Sequence, residues 1–190
     1  LRNNFANEKE AIITHVSNFR KVKRVNDVIK IFEKVNQKIA SKLLMIGDGP
    51  ERISAEQLCR NLGLQNKVRF LGKFKVIENI LAISDVFLLP SETESFGLVA
   101  LEAMASKTPV VSTNSGGITE VNIAGKTGFL SDVGDVNKMS ADIIKLLSNS
   151  ELLESFKINA LDHAKSFSIN NILPKYNKIY QSLCQNIEGK

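Results

Sequence analysis

Short, continuous apolar runs alternate with amphipathic stretches along most of this chain, and that alternation restricts the fold more than any other feature. Residues 11–16 form the first apolar run. Val25, Val28, Ile29, Phe32, Val35 and Ile39 then recur at helical spacing, and residues 42–47 repeat the buried-strand pattern. A helix over about residues 54–62 stops at Gly63. Further strands are expected at 68–71, 85–89, 109–113 and 128–130, with short helices at 76–83, 97–106 and 117–124 between them. From Asp135 the pattern is helical, over about 136–148, 151–166 and 171–186, with Pro174 near the start of the last helix. Strands that are apolar throughout are buried on both faces, which argues for a parallel sheet with helices on each side. The expected fold is therefore α/β: a Rossmann-like sheet of about six strands with a C-terminal helical tail. In such sheets ligands sit beyond the carboxyl ends of the strands. That selects the loops after Val16, Ile46, Leu71, Leu89 and Thr113.

Composition enters mainly as exclusion. No apolar run approaches the roughly 18 residues a membrane span requires. The first ten residues are polar and charged, unlike a secretory leader. The only cysteines, Cys59 and Cys184, form no CxxC or disulfide pattern, which fits a reducing, cytoplasmic setting. The net charge of +5 suits an anionic partner, and 20–24 (Arg-Lys-Val-Lys-Arg) is the densest basic cluster. It reads either as a solvated loop or as a loop that neutralises phosphate. Nucleic acid is disfavoured, because the cluster lacks the interleaved aromatics that stack on bases. Gly47-x-Gly49 lacks the third glycine of a dinucleotide fingerprint, since Arg52 holds that position. There is no Walker A sequence and no D-x-D pair to bridge a metal to a diphosphate, and His15 and His163 are too few for a histidine-rich metal site.

The segment 94–105 carries the most chemistry. Apart from Glu102, residues 97–105 are all glycine or apolar, so the helix is expected to be buried nearly all round. A carboxylate there needs a partner. Two readings stand: an ion pair with a Lys or Arg, or acceptance of hydrogen bonds from two vicinal ribose hydroxyls. The N–H groups of Phe96, Gly97 and Leu98 begin that helix without intrahelical acceptors and form a natural diphosphate cradle. Glu94, just before them, either complements the helix dipole or reaches what the diphosphate carries. His15 ends the first strand and is a further candidate for the cleft, whereas His163 is expected at the surface of a tail helix.

Glu94 and Glu102, with seven residues between them, match the E-x7-E motif of the family-four retaining glycosyltransferases. The stretch 90–98 (Pro-Ser-Glu-Thr-Glu-Ser-Phe-Gly-Leu) resembles that family's donor loop. Matches at 47–51, 70–72, 115–117 ahead of Glu120, and 125–130 follow in the family's order. The resemblance covers about residues 11–185 and implies one half of a GT-B fold. It implies that Glu94 contacts the donor sugar and Glu102 the ribose. It places the backbone of Ser95, Phe96, Gly97 and Leu98 on sugar and diphosphate, and Leu71, Lys73 and Phe74 beside the base, near Gly47. Lys23 aligns with the family's phosphate-binding Lys. The matching Arg position holds Asn18, which leaves Arg20 as the nearby guanidinium. The runs 15–25 and 91–105 resemble the branch that moves N-acetylglucosamine from UDP to L-malate at the start of bacillithiol synthesis.

By this resemblance, residues 1–10 are a linker from an N-terminal domain that holds the acceptor. Residues 11–165 are the nucleotide-sugar domain, and 166–190 a helix that crosses back to the other half. The implied partners are a UDP-sugar donor and a small acceptor, with no metal cofactor. Leu1 in place of Met is read as the mark of a fragment. Left unpaired, the tail's apolar face would fold back or self-associate, giving a homo-oligomer. A non-catalytic nucleotide-binding module is the competing reading.

Overall fold

In the computed structural model, backbone is described for residues 1–188 and side chains for 1–181. Six strands, β1 (Ala11–Val16), β2 (Ser41–Ile46), β3 (Val68–Gly72), β4 (Val86–Leu89), β5 (Val110–Thr113) and β6 (Gly128–Ser131), form one sheet. Its order is β3-β2-β1-β4-β5-β6 and every pairing is parallel. The alternation of apolar runs and helices dictates this result. Each strand needs a crossover before the next, and the central strands are buried on both faces.

The helices are α1 (Val25–Asn36), α2 (Arg52–Asn61), α3 (Glu78–Leu81), α4 (Leu98–Ala105), α5 (Ile118–Val121), α6 (Val136–Leu147), α7 (Ser150–Lys165) and α8 (Ile169–Glu188). One face of the sheet packs Val28, Phe32 and Val35 of α1 with Ala55 of α2 and Ile143 of α6. The other packs Ala100, Ala103 and Met104 of α4 with Ile118 of α5 and Ala160 of α7. Asp135 and Asn149 cap α6 and α7 by accepting the backbone N–H groups of Lys138 and Leu152. A 3-10 turn, Lys21–Lys23, lies inside the basic cluster, which sequence reading left as plain loop.

Strand order reverses between β1 and β4, with the chain winding outward to either side, so the loops after these two strands diverge around an opening. Those loops are the basic cluster and the 90–97 segment. A backbone bond from Glu92 N–H to the Val22 carbonyl, 2.8 Å, ties them together.

Two sequence expectations need correction. α3 is a single turn, far shorter than 76–83. α4 is not buried all round: Leu98, Glu102 and Ala105, at helical spacing, lie on an open flank. Among the described residues no helix is long and apolar enough to cross a membrane.

Candidate functional site

The site is built at the reversal point from backbone contacts first. Glu94 pairs in parallel fashion with Gly116, and its carbonyl accepts the Gly117 N–H at 2.7 Å. A Cβ on Gly117 would lie 2.2 Å from the Ser95 carbonyl oxygen, so only glycine lets the 115–117 loop support the 94–96 backbone from below. Thr113 Oγ1 donates to the Ser91 carbonyl at 2.6 Å, fixing the start of the same segment.

On that support, Glu94 is held from two sides. Lys23 Nζ lies 2.6 Å from Oε1, and the Ser91 hydroxyl donates to the same oxygen at 2.7 Å. Both partners are largely buried, with Lys23 at 20% and Glu94 at 11% side-chain exposure. Glu94 Oε2 makes no hydrogen bond among the described residues. The cation and the carboxylate singled out in the sequence are thus one pair, made across the reversal point.

Beside them α4 begins at Gly97, whose φ of 88° turns the chain into the helix. No acceptor among the described residues takes the N–H groups of Phe96, Gly97, Leu98 or Val99. Free donors and the positive end of a helix dipole therefore face the same opening as Lys23. Leu98 is 65% exposed at that mouth. The ring of Phe96 turns away and meets Phe167 edge-on at 5.8 Å, so Phe96 offers the site its backbone alone.

At the same end of the sheet, beyond β1, β2 and β3, is a cleft of about 400 Å³ lined by Val16, Ser17, Asn18, Gly47, Asp48, Lys73, Phe74 and Ile77, among others. It is open and mostly apolar, the shape that accepts a flat heterocycle. Lys73, Phe74 and Gly47, which the resemblance assigns to the base, line this cleft. Leu71 does not: it packs under the sheet against Ile12, Leu44 and Ile46. A hollow of about 440 Å³ lies at the opposite end of the sheet, lined by Arg2, Asp85, Lys107 and Lys157, among others. There Arg2 already bridges the Asp85 carboxylate and the Ile83 carbonyl. Parallel sheets do not bind ligands at that end.

Glu102 is exposed and has no side-chain partner among the described residues, which overturns the expected buried carboxylate and removes the ion-pair reading. Partial desolvation, with the Glu78 carboxylate nearby, holds its pKa above the usual value. A carboxylate left in that state is ready for hydrogen-bond donors. The Arg20 side chain is exposed, makes no hydrogen bond or ion pair among the described residues and lines none of these cavities, although its carbonyl accepts the Lys23 N–H at 2.8 Å. Its guanidinium therefore does not join the Lys23–Glu94 pair. His163, expected at the surface, is half-buried, and its ring meets Phe167 edge-on at 5.2 Å.

His15 is fully buried at the end of β1. Nδ1 lies 2.9 Å from the Leu88 carbonyl oxygen and Nε2 2.8 Å from Ser17 Oγ. Burial first, with a smaller contribution from nearby Lys23, lowers its pKa to about 4. Because the folded value lies below the unfolded one, the unfolded chain takes up the proton first. This contribution to stability is complete above about pH 6.5 and is lost as the pH falls toward 4. Chemical unfolding is expected to show about 3 kcal/mol lost over that window. A flat profile between pH 7 and 5 would contradict the buried neutral ring.

Sequence reading missed Ser91 and Ser17. Single hydroxyls in polar loops carry no signal of their own, and although their partners Glu94 and His15 lie only three and two residues away, the bonds depend on how each loop bends.

Residues 1–163 match the family described as glycosyl transferases group 1. The chain is 45% identical over 174 residues to N-acetyl-alpha-D-glucosaminyl L-malate synthase of Bacillus anthracis, covering 91% of this chain and 46% of that protein. The 2-deoxystreptamine N-acetyl-D-glucosaminyltransferase of Niallia circulans is 32% identical over 159 residues, 80% of this chain and 41% of that one. Among solved structures, Anabaena HepE in complex with UDP superimposes with a TM-score of 0.85 at 25% identity, covering 92% of this chain and 49% of that one. The chain thus spans less than half the length of these relatives.

Proposed function

The chain belongs to the group 1 glycosyl transferases, and from that premise we propose that it is the donor-binding half of a retaining enzyme that moves N-acetylglucosamine from UDP to a small hydroxy acid, L-malate. The observation that carries the reading is the convergence at the sheet's reversal point. The Lys23–Glu94 pair, the free N–H groups of 96–99 and the 400 Å³ cleft all lie at the carboxyl ends of the strands, in the loops that follow β1 to β4. They match, in order, the three parts of a nucleotide sugar: hexose, diphosphate and base.

In this reading the base lies between Gly47 and Phe74, and Glu102 accepts the two ribose hydroxyls. The diphosphate rests on the α4 N-terminus and Lys23. As the sugar–phosphate bond breaks, charge accumulates on the departing oxygen. Donors already aimed there stabilise it without reorganising, and without requiring a metal. The free Oε2 of Glu94 is available to orient a sugar hydroxyl. Retention follows from attack on the face the diphosphate leaves.

The choice of N-acetylglucosamine and malate is supported by the 45% identity to the Bacillus anthracis enzyme, whose name specifies both. The acceptor surface belongs to a second, N-terminal domain. The exposed Ile169, Leu173, Tyr176 and Tyr180 on α8 support a tail that docks on that domain. Leu183, assigned to the same face from sequence, lies outside the described side chains. The test is transfer itself. Joined to its N-terminal half, the protein is expected to convert UDP-N-acetylglucosamine and L-malate to the glycoside with retained configuration, whereas the 190-residue chain alone does not. Transfer by the chain alone, or no transfer to malate by the joined protein, would contradict this assignment.

A further inference from the structure

We propose that His15 and Ser17 form a positioning couple that holds the β1–α1 loop in its donor-binding shape. The inference rests on reading the cleft as a nucleotide-sugar site, and it assigns work to two residues that the reaction itself does not use.

The hydrogen bonds of the couple run in one direction only. The Leu88 carbonyl can only accept, so His15 Nδ1, 2.9 Å away, carries the ring hydrogen. Nε2 is then left with a lone pair, and the Ser17 hydroxyl, 2.8 Å away, donates to it. With its hydrogen committed, Ser17 Oγ is free to accept, and the Phe19 N–H points to it at 3.3 Å. The chain of bonds therefore passes from the loop backbone through Ser17 and the imidazole to the backbone of β4. Reversing it would require a donor at Leu88 O, which does not exist.

The loop needs such a hold. Phe19 adopts φ 41°, a left-handed conformation that a bulky residue takes only when its surroundings enforce it. Its ring is fully buried and stacks on His15, with centroids 6.1 Å apart at an interplanar angle of 26°. Its carbonyl accepts the Glu51 N–H at 2.9 Å. Ser17 and Asn18 line the cleft, and the turn carrying Lys23 follows directly. Release of Ser17 would let the loop leave this shape, and donor binding would then have to restore it. The apparent affinity falls in proportion to the fraction of chains that remain competent.

The test uses Ser17→Ala and Ser17→Thr in this chain, with UDP affinity read by calorimetry and Phe19 amide exchange read by NMR. Ser17 is a half-buried loop residue, so both variants are expected to fold. Ser17→Ala should bind UDP roughly tenfold more weakly, and Ser17→Thr, which keeps the hydroxyl, should return to within about twofold of wild type. The Phe19 amide should be protected in wild type and Ser17→Thr and exposed in Ser17→Ala. Wild-type affinity or unchanged Phe19 protection in Ser17→Ala would overturn the couple. If wild type itself fails to bind UDP, the nucleotide reading is at fault, and the exchange data still judge the couple. Ring ¹⁵N shifts of His15 give a check that needs no variant: the Nδ1–H tautomer is expected, and an Nε2–H tautomer would overturn the assigned direction.

Discussion

Lys23→Ala is expected to weaken UDP binding about a hundredfold, close to 2.7 kcal/mol. Two losses contribute. The variant removes a charge-assisted bond to the diphosphate, an effect of about 1.5–3 kcal/mol. It also leaves the Glu94 carboxylate, held at 2.7 Å by Ser91, without its cation and beside the ligand's negative charge. The second loss can be isolated. Adding Glu94→Gln to Lys23→Ala removes the repelling charge and should recover about tenfold of the lost affinity. Titration calorimetry on the single and double variants checks both. A double variant no better than Lys23→Ala would mean that the ion pair shapes the loops and exerts no electrostatic effect on the donor.

The second large effect concerns the frame. Gly47 adopts φ 123°, and a Cβ there would sit 1.7 Å from the Ser17 carbonyl oxygen. Both partners are backbone, so no side chain can move to relieve the contact. Gly47→Ala must force apart the loops after β1 and β2 while straining its own backbone. A loss of about 3 kcal/mol or more in denaturant unfolding is expected, together with loss of UDP binding. Gly63→Ala is the control, since Gly63 also has positive φ, at 69°, but has nothing within 4 Å of the added carbon. It should lose about 1 kcal/mol, the strain term alone. Equal losses at the two positions would show that the loop contact is not what Gly47 protects.

The central strands β1 and β4 were legible because each is a largely apolar run buried along its length, which needs no partner in the sequence to be recognised, whereas the edge strand β3 carries Arg69 and is only partly buried. Helices α1, α2, α6 and α7 were legible for a similar local reason, their 3.6-residue spacing. The Glu94–Lys23 pair was not, although both residues were named. They lie 71 positions apart, and only the reversal of strand order, which sets β4 beside β1, brings them together. Glu102 shows the opposite failure. An apolar helix suggested burial all round, but which flank is covered depends on what packs beside it, and Leu98, Glu102 and Ala105 face outward. The placing of Arg20 followed spacing within the basic cluster. The 3-10 turn at Lys21–Lys23 instead directs Lys23 to Glu94 and leaves Arg20 outside.

The central claim is that this cleft holds a uridine diphosphate by its base, ribose and phosphates together. Titration calorimetry of UDP, GDP and ADP into the 190-residue chain, and of UDP into its Glu102→Ala variant, tests that claim most directly. UDP is expected to bind ahead of GDP and ADP, and several-fold more weakly once Glu102 is gone. The exposed position of Glu102 leaves the fold of the variant intact, so the loss would report on ribose recognition. Equal affinity for the three nucleotides, or no binding of any, would contradict the account.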